Sequence, residues 1–167
     1  RLQVQDMSSM FGYCESLRLL DVGNFNTIQV KNMSKMFVDC SSLSSIDLSK
    51  FNTENVIDIS YMFQYCTSLP NLKISNFKTS NVIDMSHTFQ FCRQLKSLSF
   101  NFDTKNVIDM SNMFEECSQL TIINISNFDT KNVKNMNSMF KSCLKVFELQ
   151  ISNFDVSNVS NMSQIFF

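Results

Sequence analysis

One string recurs along this chain at an almost fixed period, and that recurrence limits the fold more than any other feature. Cys14, Cys40, Cys66, Cys92, Cys117 and Cys143 follow one another at steps of 26, 26, 26, 25 and 26 residues. A phenylalanine stands three positions before each cysteine, from Phe11 to Phe140, and the series continues at Phe166. A second series runs Phe25, Phe51, Phe77, Phe102, Phe128 and Phe154. A fixed period of about 20–50 residues marks repeat units that stack. A lone unit cannot bury its apolar face, so each must pack on its neighbours.

Within one period, Val56, Ile59, Met62, Phe63 and Cys66 are spaced as one face of a helix. Leu72 and Ile74 then alternate as in a strand. The expectation is an α/β fold, a strand–helix solenoid of about six 26-residue units. Asp58 or Asn55 is placed to cap the helix, and the spacing does not choose between them. Phe51–Asn55 carries turn chemistry through its Asn and Thr side chains. The units run approximately 1–23, 24–49, 50–75, 76–100, 101–126, 127–152 and 153–167, within a single repeat array. Expected strands lie at Leu19–Val22, Ser45–Leu48, Ile123–Ile125 and Leu149–Ile151. Pro70 precedes a strand, where its missing N–H is harmless at an edge or in solvent. One residue is missing between Phe100 and Phe102, which predicts a local irregularity.

The formal net charge is −1, which argues against a generic nucleic-acid binder, since that needs a basic face. No apolar run is long enough to span a membrane, and no signal-peptide pattern opens the chain. The array starts and stops inside a repeat, which predicts that capping units, and any signal or anchor, lie outside these residues.

All eleven methionines fall in two columns on the apolar face. Burial in the core explains them better than a promiscuous binding surface. The cysteines lack the close pairs of a zinc knuckle and the varied spacing of a disulfide framework. They read as a ladder of free, buried thiols, with bridging between stacked neighbours a lesser alternative. His87 shares its column with Ser9, Lys35, Tyr61, Asn112, Ser138 and Gln164. That mixture predicts an exposed helical position, and a histidine without partners is no catalytic dyad. Four Asn-x-Ser sequons, at Asn32, Asn124, Asn158 and Asn161, are near chance in so Asn- and Ser-rich a chain.

The candidate binding face is the outward side of the stacked strands. One column holds Asp21, Asp47, Lys73, Ser99, Asn124 and Gln150. The flanking column holds Leu19, Ser45, Asn71, Ser97, Ile122 and Glu148. These columns vary while the inward ones do not. An ordinary solvated sheet face accounts for them equally well.

The string Leu43-x-x-Ile46-x-Leu48-Ser49 is similar to the L-x-x-L-x-L segment of leucine-rich repeats. The longer pattern Asn-Phe-Asp-Thr-x-Asn-Val-x-x-Met-x-x-Met-Phe-x-x-Cys-x-x-Leu spans Asn101–Leu120 and recurs from Asn127 to Cys143. It resembles the BspA-like leucine-rich repeat surface proteins, which include a repeat family catalogued as a domain of unknown function in mycoplasma lipoproteins. The resemblance covers essentially the whole chain. It implies a right-handed strand–helix solenoid at the cell surface or secreted, in adhesion or partner binding. Departures are Val146 in a leucine column, Thr88 in a methionine column and the single deletion. The family offers no shared catalytic residues to carry over.

The expected function is therefore a non-catalytic interaction module that binds a protein or glycan ligand through its strand face. No cofactor, nucleic acid or membrane insertion is expected. The alternative is a structural element of a fibre or coat, with end-to-end stacking on further repeats. An enzyme is disfavoured, because the chain has one histidine, no glycine-rich phosphate loop and no nucleophile beside a base.

Overall fold

The computed structural model describes residues 3–166. Arg1, Leu2 and Phe167, the outermost residues of the first and last expected units, lie outside them. Each repeat forms one rung, and consecutive rungs pair in parallel. Single-residue bridges link Asp6, Asn32, Asp58, Asp84, Asp109, Asn135 and Asn161 in one unbroken series through all seven rungs. On another side the rungs carry short strands: β1 (Leu19–Leu20), β2 (Ser45–Ile46), β3 (Asn71–Lys73) and β4 (Ser97–Ser99). β1 pairs with β2 and β3 with β4, each in parallel and in register. The strands expected at Ile123–Ile125 and Leu149–Ile151 shrink to one bridge between Ile122 and Glu148.

The strand–helix expectation is corrected: among the described residues there is no helix. Where a helix was expected, the chain makes a ribbon of nested turns. Its amides alternate between two sets of acceptors. Lys35, Phe37 and Asp39 donate to the carbonyls of Ser60, Met62 and Gln64 in the next rung, at 2.8, 2.9 and 2.8 Å. Met36, Val38 and Cys40 donate three residues back, to Met33, Lys35 and Phe37, at 3.3, 3.1 and 3.2 Å. An α-helix would keep all of these bonds within its own rung. Two residues per rung also take positive φ: Lys35 and Asp39, Tyr61 and Tyr65, His87 and Phe91, Asn112 and Glu116, at 53–61°. The left-handed region is disfavoured for a residue with a Cβ and interrupts a right-handed helix. The ribbon still points Met33, Met36, Phe37 and Cys40 inward. That is i, i+3, i+4 and i+7, so hydrophobic spacing alone could not separate it from a helix.

The core lies between the ribbon and the strands. Phe11, Phe37, Phe63, Phe89, Phe114, Phe140 and Phe166 form a continuous column of near-parallel rings, 5.5–5.9 Å apart at centroids. The methionine columns are buried in the interior rungs, but Met10 and Met162 in the outer rungs are 51% and 41% exposed. Thr88, in a methionine slot, is buried and donates its hydroxyl to the Met85 and Ile59 carbonyls, at 2.7 and 3.3 Å.

Side chains satisfy much of the backbone between rungs. The buried Thr53 hydroxyl donates to the Lys78 carbonyl at 3.1 Å and accepts from the Lys78 amide at 2.7 Å. Thr27, Thr104 and Thr130 make the same two-way link. Neither candidate cap caps a helix. Asp58 accepts from the Ser60 amide two residues on, at 2.8 Å. Asn55 donates across to the Ile28 carbonyl, at 2.8 Å.

The strand ladder breaks in two places, each with a reason in the sequence. Ser44 donates to the Arg18 carbonyl at 3.0 Å, and Lys96 to the Pro70 carbonyl at 2.8 Å. Between them stands Pro70, which has no N–H to give, and β2 and β3 form separate pairs. Pro70 faces another rung rather than an edge or solvent, so its missing N–H interrupts the ladder. The second break follows β4, at the deletion. Elsewhere the Phe25, Phe51, Phe77, Phe128 and Phe154 amides close a turn onto the residue three before them. Phe102 stands only two residues after Phe100, so that turn cannot form. Phe100 instead packs tilted among Phe102, Phe114 and Phe128.

Candidate interaction surfaces

The strand face carries both expected columns. Leu19, Ser45, Asn71, Ile122 and Glu148, and Asp21, Asp47, Lys73, Ser99, Asn124 and Gln150, are all exposed. Leu72, between Asn71 and Lys73, is buried, as alternation requires. Leu19 and Ile122 are 69% and 55% exposed and are the apolar members of these two columns. Several polar members already serve the backbone. Asp21 accepts from the Gly23 amide and Asp47 from the Ser49 amide, both at 2.9 Å. Asn124 accepts from the Ser126 amide and hydroxyl. The Ser49 amide and hydroxyl hold the Asp47 carboxyl below its usual pKa. One carboxylate oxygen of each aspartate remains for a ligand, but the columns are more structural than their sequence suggests.

The ribbon carries a surface that the sequence reading missed. Its two left-handed columns turn most of their side chains outward, Ser138 being buried, and in the third and fourth rungs these are aromatic. Tyr61 stacks on His87 at 4.3 Å and 7°, and Tyr65 on Phe91 at 4.6 Å and 3°. The Lys35 ammonium lies 5.3 Å from the Tyr61 ring centre, and the Arg93 guanidinium 5.2 Å from that of Phe91. Between the columns runs a side-chain chain from Gln64 to Gln90 to Glu115, which pairs with Lys141 at 3.6 Å. The same left-handed positions hold Ser9, Asn112, Ser138 and Ser142 in other rungs. The fold therefore does not demand aromatics here. The signal was present in the sequence as Tyr-x-x-x-Tyr followed one repeat later by His-x-x-x-Phe. It reads as a surface only once left-handed geometry replaces the helix.

His87 is half-buried rather than an exposed helical residue. Its Nδ1 pairs with Gln90 Oε1 at 2.7 Å and its Nε2 with Asn112 Nδ2 at 3.3 Å. An amide oxygen on one side and an amide nitrogen on the other assign the proton to Nδ1. Burial, with Asp84 and Asp109 beyond it, pushes the Tyr61 phenol up.

All six cysteines are free; Cys40, Cys66, Cys92 and Cys117 are buried and Cys14 is exposed. The ladder has a second purpose beyond filling space. Cys40, Cys92, Cys117 and Cys143 each donate their thiol to a phenylalanine carbonyl of the preceding rung at 3.1 Å, and Cys66 does so at 3.3 Å. Burial pushes Cys40 up to about 11 and Cys143 up to about 12. Burial also pushes Cys66, Cys92 and Cys117 well above the ordinary thiol range. Thiols held protonated are poor nucleophiles and metal ligands. Among the described residues no cluster of three or more His, Cys, Asp or Glu is placed to hold a metal ion. Nor does any helix among them have the length and apolarity to cross a membrane.

The fold is similar to that of a leucine-rich repeat protein from Eubacterium ventriosum known from a crystal structure, with a TM-score of 0.53 and 16% identity. The match covers 78% of this chain and 32% of that one, so this chain spans about a third of that protein's length. No curated protein matches the sequence. The model of the family described as "Mycoplasma protein of unknown function, DUF285" matches residues 2–100 and 85–167. Those two matches take in nearly every repeat, and the chain belongs to this family.

Proposed function

We propose that the chain is a non-catalytic interaction module of a surface-exposed, adhesin-like repeat protein, and that its strand face binds a protein or glycan ligand. The observation that carries this reading is the contrast between the two sides of the strands. Inward positions repeat Leu20, Ile46, Leu72, Leu98, Ile123 and Leu149. The outward positions change charge and size from rung to rung on the same frame, which is how repeat proteins vary a concave or flat recognition face. Resemblance to BspA-like proteins supports the surface location.

The test immobilises the array and a variant with L19S, K73S, I122S and E148S, and exposes both to a panel of extracellular-matrix proteins and glycans. Binding by the parent that the variant loses is the expected result. Equal binding by the variant, or none by either, overturns the strand-face reading. For location, added protease is expected to release repeat peptides from intact cells. Release only after lysis contradicts it.

A further inference from the structure

The Tyr65–Phe91 stack has two ends, and their chemistry is nearly the same. At the Phe91 end, the Arg93 guanidinium lies over the ring, 5.2 Å from its centre. Arg93 is held there by Glu116, whose Oε2 is 3.3 Å from Nε. Glu116 belongs to the next rung and occupies Phe91's own column, at φ 60° against 61°. The elements are thus an aromatic face, a carboxylate one rung along, and a guanidinium between them. That combination suits arginine, whose planar group stacks on a ring while its edge pairs with a carboxylate.

The Tyr65 end repeats the first two elements. Phe91 is parallel to Tyr65 within 3° and one rung away, so the opposite face of Tyr65 is turned toward the second rung. The same column there holds Asp39, a carboxylate at φ 53°. The column is locked in register: Tyr13 donates to Val38, Asp39 to Gln64 and Tyr65 to Gln90, at 2.7–2.9 Å. Among the described residues no lysine or arginine pairs with Asp39. The nearby cation, Lys35, is placed over Tyr61 instead. One rung further stands Tyr13, 68% exposed. It is about 9–10 Å from Tyr65 along the column, two strand spacings.

We propose that Tyr65 and Asp39, with Tyr13 beyond, form a docking seat for an arginine side chain of a partner protein, built as the mirror of the seat that holds Arg93. The seat is on the ribbon, so it is separate from the strand face and stands whether or not that face binds.

The test is an NMR titration of the intact array with N-acetyl-arginine methylamide, with the lysine analogue and choline as comparison probes. The expected result is a saturable shift of the Tyr65 ring and Asp39 amide signals with the arginine probe. Asp39→Asn and Tyr65→Ser are expected to weaken it at least fivefold. Ser142 already fills this column, so Tyr65→Ser is compatible with the fold, and unchanged spectra elsewhere verify that. The strand-face variant is expected to titrate like the parent. The proposal is overturned if the shifts fail to saturate, if they lie away from Tyr65 and Asp39, or if Asp39→Asn binds equally. Equal or tighter binding of the lysine probe or choline overturns the assignment to arginine.

Discussion

Asp84 sits at the centre of the bridge series that runs through every rung, from Asp6 to Asn161. Each member turns its oxygen onto the amide two residues on; for Asp84 this is Ser86, at 2.8 Å. The ring of neighbours decides what charge costs there. Burial, opposed by the Ser86 hydroxyl and amide and reinforced by Asp58 and Asp109, raises the Asp84 pKa above 3.8. A carboxyl raised on folding is penalised in its ionised form at every pH above the folded value. The penalty is relieved as pH falls through that value. Asn32, Asn135 and Asn161 show that the amide fits the slot, and Asn135 donates to Asp109 at 3.1 Å. Asp84→Asn keeps the turn and gains a donor toward Asp58. It is expected to raise stability at neutral pH by about 1 kcal/mol, the scale of one net hydrogen bond. Urea midpoints at neutral pH and below pH 3.8 check this: the gain should shrink at the lower pH. A loss of stability at neutral pH would contradict the account.

The ribbon is the element that the sequence concealed. Its inward residues were legible: Met33, Met36, Phe37 and Cys40 are buried as their spacing foretold. Its backbone was not, because side-chain spacing reports which residues face inward and not where their amides point. The left-handed positions carry Tyr, Lys, His, Asp and Glu rather than glycine, so the usual marker of positive φ is missing. The threonine column was legible only as turn chemistry, since nothing local distinguishes a hydroxyl that bonds its own turn from one that bonds the next rung. Ser142, at φ 57°, tests the ribbon directly. In a helix, Ser→Gly would cost about 0.5 kcal/mol. In the left-handed region glycine removes a strain of about 1 kcal/mol. Ser142→Gly is therefore expected to leave thermal stability unchanged or raised. A fall matching the helical cost would contradict the ribbon.

At the scale of the whole molecule, the repeat, its register and its core columns were written in the sequence, because a cysteine and two phenylalanines recur in nearly every unit. The strand-face columns were legible for the same reason, although the Asx turns that occupy Asp21, Asp47 and Asn124 were not. The ribbon's aromatic surface was not legible, because Tyr61, Tyr65, His87 and Phe91 reach the surface only through left-handed residues. The strand sheet breaks at Pro70 and at the deletion beside Asn101. The bridge series beginning at Asp6 and the phenylalanine column cross both places unbroken. The ribbon, not the sheet, is thus the continuous element of the stack. The measurement closest to that claim is the sign of φ at Tyr61, Tyr65, His87 and Phe91 from intraresidue amide-to-Hα cross-peaks in the NMR spectrum of the array. Strong cross-peaks, and so positive φ, at all four are the predicted result. Negative φ with helical couplings through Ile59–Cys66 would contradict it and restore a helix to each repeat.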